Sequence, residues 1–328
     1  MLARFGHRLL AGIAVVLGVV TLTFFLLHLA PGDPSDIMLG PAATAEQRAD
    51  QRTALGLDRP LPAQFATWLS RFARGDWGNS IAKGRPVRGL LAAAWRHTAW
   101  LIALSLLLSY LIGLAIGAVQ AARSGSRLDT LLSVSTVTLF AMPGYWLGLM
   151  LVLLFTYWAR VLPAFGIAGL DSDYLQGAGW VIDRLRHLAL PLATLTLVGI
   201  GGAARFVRGG MLETLSQPFI TTAYAKGLKP RRVVSHHALR NALTPVVTML
   251  GLSLPALFSG AVFVEAVFAW PGVGRVLVEA VRARDYPVVM AATAISAVLV
   301  VAGNMIADVL AAWVDPRVRG AQGGSAPS

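Results

Sequence analysis

Six stretches of this chain are apolar enough and long enough to cross a lipid bilayer, and they constrain the fold before any other feature. They run over about 9–30, 97–121, 130–157, 186–209, 244–268 and 287–313. A helix needs roughly 20 predominantly apolar residues to span a hydrocarbon core. No water reaches a backbone amide there, so each run is expected to close its own hydrogen bonds as α-helix. Charge agrees. Charged residues make up 13% of the chain, against about 25% in soluble domains, and mean hydropathy is +0.65. The expected fold class is all-α, a polytopic membrane protein with six transmembrane helices. Pro143-Gly144 interrupts the third run. A kink is expected there, because proline removes a helical hydrogen bond.

Six spans place both termini on one side, and the short loops say which. Arg123 and Arg127 follow the second run, Arg205 and Arg208 end the fourth, and Lys226, Lys229, Arg231, Arg232 and Arg240 precede the fifth. Arg317 and Arg319 follow the sixth. All lie on the N-terminal side, which the positive-inside rule makes cytoplasmic. The net charge of +12 therefore reads as a topology signal. No nucleic-acid partner is expected, since no module of basic and aromatic residues lies outside the apolar runs. The first run is too long for the core of a cleaved signal and is followed directly by Pro31, so it is expected to stay as a membrane helix. The chain then divides into an N-terminal helix (1–30), an extracytoplasmic region with short helices (31–96), a five-helix core (97–313) containing a cytoplasmic loop (211–243), and a cytoplasmic tail (314–328).

Catalytic signatures are missing. The chain has no cysteine, which excludes thiolate metal sites and cysteine nucleophiles. No phosphate-binding Gly-x-x-x-x-Gly-Lys-Ser/Thr loop, His-Glu-x-x-His pair or Gly-x-Ser-x-Gly turn occurs. Gly199-x-Gly201-x-x-Ala204 imitates a dinucleotide fingerprint but sits inside an apolar run. Close helix packing explains it, as it explains Gly113-x-x-x-Gly117. His236 and His237 are adjacent and point about 100° apart on a helix, which suits a two-ligand metal site poorly. No catalytic residue, metal or bound cofactor is expected in this chain.

One segment exceeds what a turn requires. From Thr221 the chain reads Thr-Thr-Ala-Tyr-Ala-Lys-Gly-Leu-Lys-Pro-Arg-Arg, with five basic residues and no acid between Lys226 and Arg240. A short helix is expected to end in a left-handed turn at Gly227, and a second to start near Arg231 after Pro230. Composition alone leaves two readings open: plain positive-inside charge, or a docking element.

The frame Thr221-Thr222-Ala223-x-x-x-Gly227 resembles the Glu-Ala-Ala-x-x-x-Gly loop of permease subunits of ATP-binding-cassette importers. The continuations Ala225-Lys226-Gly227-Leu228 and His237-Ala238-Leu239-Arg240-Asn241-Ala242-Leu243-Thr244-Pro245 are similar to the dipeptide, oligopeptide and nickel class. Five further blocks agree in order. These are Pro31-Gly32-Asp33-Pro34, Leu55-Gly56-Leu57-Asp58-Arg59-Pro60, Gly75-Asp76-Trp77-Gly78, Phe268-Ala269-Trp270-Pro271-Gly272-Val273-Gly274-Arg275 and Arg284-Asp285-Tyr286-Pro287-Val288-Val289. The chain departs from the pattern at Thr221, where the loop has Glu, and at Tyr224, where basic residues are common.

The resemblance implies a type I importer permease fold in a bacterial inner membrane, carrying short peptides or related solutes by alternating access. It implies that Thr221, Thr222, Ala223, Lys226, Gly227 and Arg231 form a coupling helix held by an ATPase subunit, with Ala223 making close contact. The implied partners are two ATP-binding subunits, which hold ATP and Mg, a homologous second permease and an extracytoplasmic solute-binding protein. Candidates for the translocation path come from intramembrane polar and aromatic residues. Pro143, Tyr145 and Trp146 form either a cavity wall or a packed kink. Glu265 either meets a substrate amine or is wet at the interface. Asn304 shares a face with Asp308, whose expected role is structural. The alternative class, an ion-driven secondary transporter, predicts several buried carboxylates facing a midplane cavity, and the sequence offers few.

Overall fold

The computed structural model describes residues 2–29, 39, 43–54, 56–229, 233, 253 and 261–314. Among these, helix is the only regular structure apart from one antiparallel bridge, Asn79 to Pro86. In chain order the helices are α1 (Leu2–Leu29), α2 (Ala45–Ala54), α3 (Leu61–Ala73), α4 (Val87–Ala122), α5 (Arg127–Ala141) and α6 (Gly144–Val152), which continues as a π-helical turn (Leu153–Trp158). They are followed by α7 (Ala178–Leu215), α8 (Pro218–Ala225), α9 (Val262–Val267), α10 (Val273–Arg282) and α11 (Tyr286–Val314).

Four helical stretches are long and apolar enough to cross a membrane: Gly6–Leu29, Val87–Ala122, Ala178–Leu215 and Tyr286–Ala307. A fifth candidate is the pair α5 and α6, bent by 102°. Most of the expected span 244–268 lies outside the described residues. Helices α4 and α7 begin well before the apolar runs at 97 and 186, because helical hydrogen bonding continues through polar ends carrying Arg88, Arg96, Asp183 and Arg184. Hydropathy reports only the part suited to lipid. Outward side chains such as Leu10 and Leu26, each 67% exposed, suit a hydrocarbon environment and no aqueous one.

The chain forms two compact units. The first comprises residues 1–98, 258–262 and 271–302. Here Val20 and Phe24 of α1 pack on Met290 and Ala294 of α11, with Phe65, Trp68 and Phe72 of α3 closing the cluster. Gly12 lets α1 approach α11: a Cβ there would lie 2.5 Å from Val301 Cγ1. A reciprocal capping box starts α2, in which Gln47 N donates to Thr44 Oγ1 (3.2 Å) and Thr44 N to Gln47 Oε1 (2.9 Å). Asp285, which precedes α11, is buried and accepts from Ser80 Oγ, Ile81 N and Ala82 N. Two blocks far apart in sequence thereby meet, and Gly78 and Pro287 come into contact. A cavity of about 510 Å³ opens beside them, walled by Trp68, Trp77, His28 and Tyr286.

Glu279 of α10 is held by Lys83 (3.0 Å) and Arg275 (2.8 Å). Burial raises its pKa, but hydrogen bonds from Lys83 and Arg275 outweigh that and leave it below the usual glutamate value. A carboxyl depressed on folding stabilises above its unfolded pKa and loses that contribution as pH falls through the folded one. With its side chain 40% exposed, each pair is worth at most about 1 kcal/mol. Glu279→Gln is therefore expected to melt slightly earlier than the parent at pH 7, with the two curves converging as pH drops below the glutamate range.

The second unit comprises residues 99–257, 263–270 and 303–328. Glycine contacts organise it. A Cβ at Gly113 would lie 2.6 Å from Ala203 Cβ, and one at Gly117 2.6 Å from the Ala204 carbonyl oxygen, so α4 lies directly on α7. Gly201 does the same toward α5, where a Cβ would meet the Thr136 carbonyl oxygen at 2.5 Å and Phe140 N at 2.9 Å. The apparent dinucleotide fingerprint is thus a helix-packing surface. Pro191 inside α7 leaves the His187 carbonyl without its helical donor.

Candidate functional site

The corner between α7 and α8 carries the basic segment singled out in the sequence. Helix α7 closes with Ser216 N donating to Leu212 O (3.2 Å), and Pro218 opens α8 where a missing amide costs nothing. Gly227, at φ +77°, ends α8. Leu228 N donates back to Ala223 O (3.3 Å), and Leu228 packs on the cluster of Ile220, Ala223 and Val233. This is a Schellman cap, with the six-to-one hydrogen bond and the apolar contact that accompany it. The predicted helix and its left-handed stop are both present.

The faces of α8 correct one expectation. Ala223 turns inward and is only 7% exposed, against a fully buried Val233. It supports the corner from inside and does not offer itself to a partner. The outward face consists of Phe219, Thr221, Thr222, Ala225 and Lys226, together with Gly227. Arg231, the histidines at 236 and 237, and the expected second helix lie outside the described residues.

A second feature sits at the bend. Here a kink was expected and a break is found. Proline disfavours helical geometry in the residue before it, and Met142 adopts φ −72°, ψ 130°. Helix α5 therefore stops at Ala141, and α6 starts afresh from Pro143 at 102°. Beyond the bend Leu147 and Gly148 point inward. Gly148 lies under the Phe268 ring, where a Cβ would be 3.1 Å from Cε2. Tyr145 (49% exposed) and Trp146 (44%) point outward, and the Tyr145 ring lies 6.2 Å from that of Phe263. Of the three expected path residues, Tyr145 is thus the one that meets Phe263, while Trp146 stands outward beside it on the next helical position. Glu265 is fully buried and engaged within the protein, so it is not wet at an interface. Asn304 is exposed on α11. No group of three or more metal-ligating side chains occurs among the described residues.

Sequence reasoning missed a polar network. Arg208, counted above as topology charge, grips Asp129 with both prongs of its guanidinium: Nε to Oδ1 and an Nη to Oδ2, each 2.9 Å. Asp129 is buried, at 4% exposed. It also accepts from Gly125 N (3.0 Å) and Ser133 Oγ (3.2 Å), while Ser126 caps α5 by accepting from Asp129 N (3.2 Å). Gln120 of α4 donates to Ser133 Oγ (2.9 Å). One signal was available: Ser126-x-x-Asp129 ahead of an apolar run is a helix-start pattern. Nothing local, however, points from Asp129 to Arg208. Only the carboxylate is buried: the Arg208 side chain is 33% exposed, so solvent screens the pair in part.

Comparison with known proteins now bears on these features. Residues 110–320 match the family described as "Binding-protein-dependent transport system inner membrane component", and residues 1–87 match the corresponding N-terminal family. The oligopeptide transport system permease protein AppB of Bacillus subtilis (strain 168) is 39% identical over 319 residues, covering 97% of this chain and 99% of the relative. The probable D,D-dipeptide transport system permease protein DdpB of Escherichia coli (strain K12) is 39% identical, covering 93% and 94%. The glutathione transport system permease protein GsiC of Salmonella paratyphi A is 37% identical, covering 95% and 97%.

Proposed function

Because this chain belongs to the family of binding-protein-dependent transport system inner membrane components, we propose that it is the permease subunit of an ATP-driven importer of short peptides. The observation that carries the reading is similarity over nearly the full length to permeases named for oligopeptide, D,D-dipeptide and glutathione transport. The same similarity supports an ATP-driven system over an ion-driven carrier.

ATP and Mg belong to separate ATP-binding subunits, since this sequence contains no phosphate-binding loop. A solute-binding protein delivers cargo, and a homologous second permease completes the pathway. The chain is multi-pass in an inner membrane with both termini cytoplasmic, a reading that the distribution of Lys and Arg supports. Helix α8 is the coupling helix. Its outward Thr221, Thr222 and Lys226, together with Arg231, contact an ATP-binding subunit, while Ala223 and Ile220 fix it to its own chain. Moving a two-state equilibrium from 1:99 to 99:1 takes about 5.5 kcal/mol. Surface ion pairs of about 0–1 kcal/mol each are too weak for that, whereas a helix fixed rigidly to its chain can transmit it. Tyr145 and Trp146, both outward just beyond the bend, line the path for cargo.

The test is reconstitution of the complex in vesicles with its binding protein and labelled peptides. Uptake is expected to need ATP and the binding protein. Uptake by this chain alone along an ion gradient would overturn the reading.

A further inference from the structure

We propose that the Asp129–Arg208 pair is a positioning clamp that makes α5 follow α7, so that movement of the coupling helix reaches the bend at Pro143. The inference rests on the proposed function, because it concerns how that transporter is coupled.

The geometry has three parts. First, α7 leads into α8 through Ser216 and Gln217 alone, and Arg208 lies about two turns before its end. Second, α5 and α7 run antiparallel and are fastened at two levels. Asp129 meets Arg208 at one end, and Thr136 and Phe140 close on Gly201 further along. Third, the far end of α5 is the break itself, beyond which Tyr145 and Trp146 stand outward. A packed glycine contact resists separation but permits sliding or rolling. A forked guanidinium on a carboxylate fixes register and orientation as well.

The carboxylate is also saturated from its own side. Gly125 N and Ser133 Oγ occupy the lone pairs that Arg208 leaves free, so Asp129 cannot swing without breaking bonds in its own turn. Gln120, 1% exposed, ties α4 to the same knot through Ser133.

Bland stabilisation is the competing explanation, and the test separates the two. The chain has no cysteine, so spin labels can be placed at Leu131 and Phe206, both exposed, on α5 and α7. Distances are measured in the reconstituted complex without nucleotide and in an ATP-trapped state. In the parent the inter-label distance is expected to stay constant while the complex switches. Arg208→Lys keeps the charge but loses the fork, and Arg208→Gln loses both. Each is expected to let the distance change on trapping. Peptide uptake per ATP hydrolysed should fall about 5–150-fold, the range of typical coupling energies, with ATP hydrolysis retained.

A parent distance that changes on trapping as much as the variants' would overturn the clamp. So would an Arg208→Lys complex that assembles normally and transports with unchanged peptide per ATP. If Arg208→Gln fails to assemble, Arg208→Lys carries the decision. If neither variant assembles, the pair is structural and the proposal is wrong. Failure of the underlying function reads differently: the parent complex itself would then show no ATP-dependent uptake.

Discussion

Replacing Gly227 by valine is expected to abolish most peptide uptake by the reconstituted importer while leaving the membrane helices folded. The residue holds φ at +77°, in the left-handed region that a β-branched side chain occupies only under strain. Among the described residues a Cβ there meets no atom within 4 Å, and the penalty is the backbone's. At about 1–3 kcal/mol, it is comparable to a coupling energy worth roughly 5–150-fold. The cap bond from Leu228 N to Ala223 O and the seat of Leu228 on Ile220 both depend on that turn. Losing it would re-aim α8, which the proposed function sets against an ATP-binding subunit. A graded series makes the test sharp. Asn tolerates the left-handed conformation and should retain most activity, alanine should lose some, and valine the most. Equal uptake by all three would remove the turn from the mechanism. Ala223→Glu is a different experiment, because Ala223 faces inward: it should disrupt the corner itself before it affects any partner contact.

Gly201→Val should cost more in folding than any change at the corner. A Cβ would stand 2.5 Å from a carbonyl oxygen and 2.9 Å from an amide nitrogen of α5. Backbone cannot rotate away as a side-chain tip can, so α5 and α7 must part. Overpacking typically costs about 1–3 kcal/mol, and an immovable neighbour puts this site at or above that range. The helices held together through Gly113 and Gly117 would be strained in turn. Detergent-solubilised protein should melt at markedly lower temperature and yield poorly. Gly209→Ala is the control on the same helix. Among the described residues no atom lies within 4 Å of its added Cβ, and removing a helical glycine gains about 0.5–1 kcal/mol. A Gly201→Val protein as stable as the parent would show that the two helices do not approach as closely as described.

The parts legible in sequence share a property: each depends on residues near one another in the chain. Apolar run length foretold α1, α4, α7 and α11, and the pair Pro143-Gly144 marked the third run as irregular. Gly227 announced its own left-handed turn. Gly113-x-x-x-Gly117 and Gly199-x-Gly201 announced close packing, although their partners were not readable. Boundaries were less legible, since α4 and α7 extend past the lipid-suited stretch into charged turns. The size of the bend was not readable either. A proline alone does not say whether the residue before it stays helical, and that choice separates a kink from a 102° break.

By itself the sequence determined an all-helical membrane chain, the left-handed corner at Gly227 and the family the chain belongs to, because hydropathy and turn chemistry act over a few residues. Tertiary structure alone decided that Ala223 looks inward, that Glu265 is buried, and that Arg208 closes on a carboxylate far away in the chain. The physical reason is that burial and pairing belong to whichever surfaces the helices bring together. An arginine that reads as loop charge in one dimension becomes half of a clamp once α5 and α7 lie side by side.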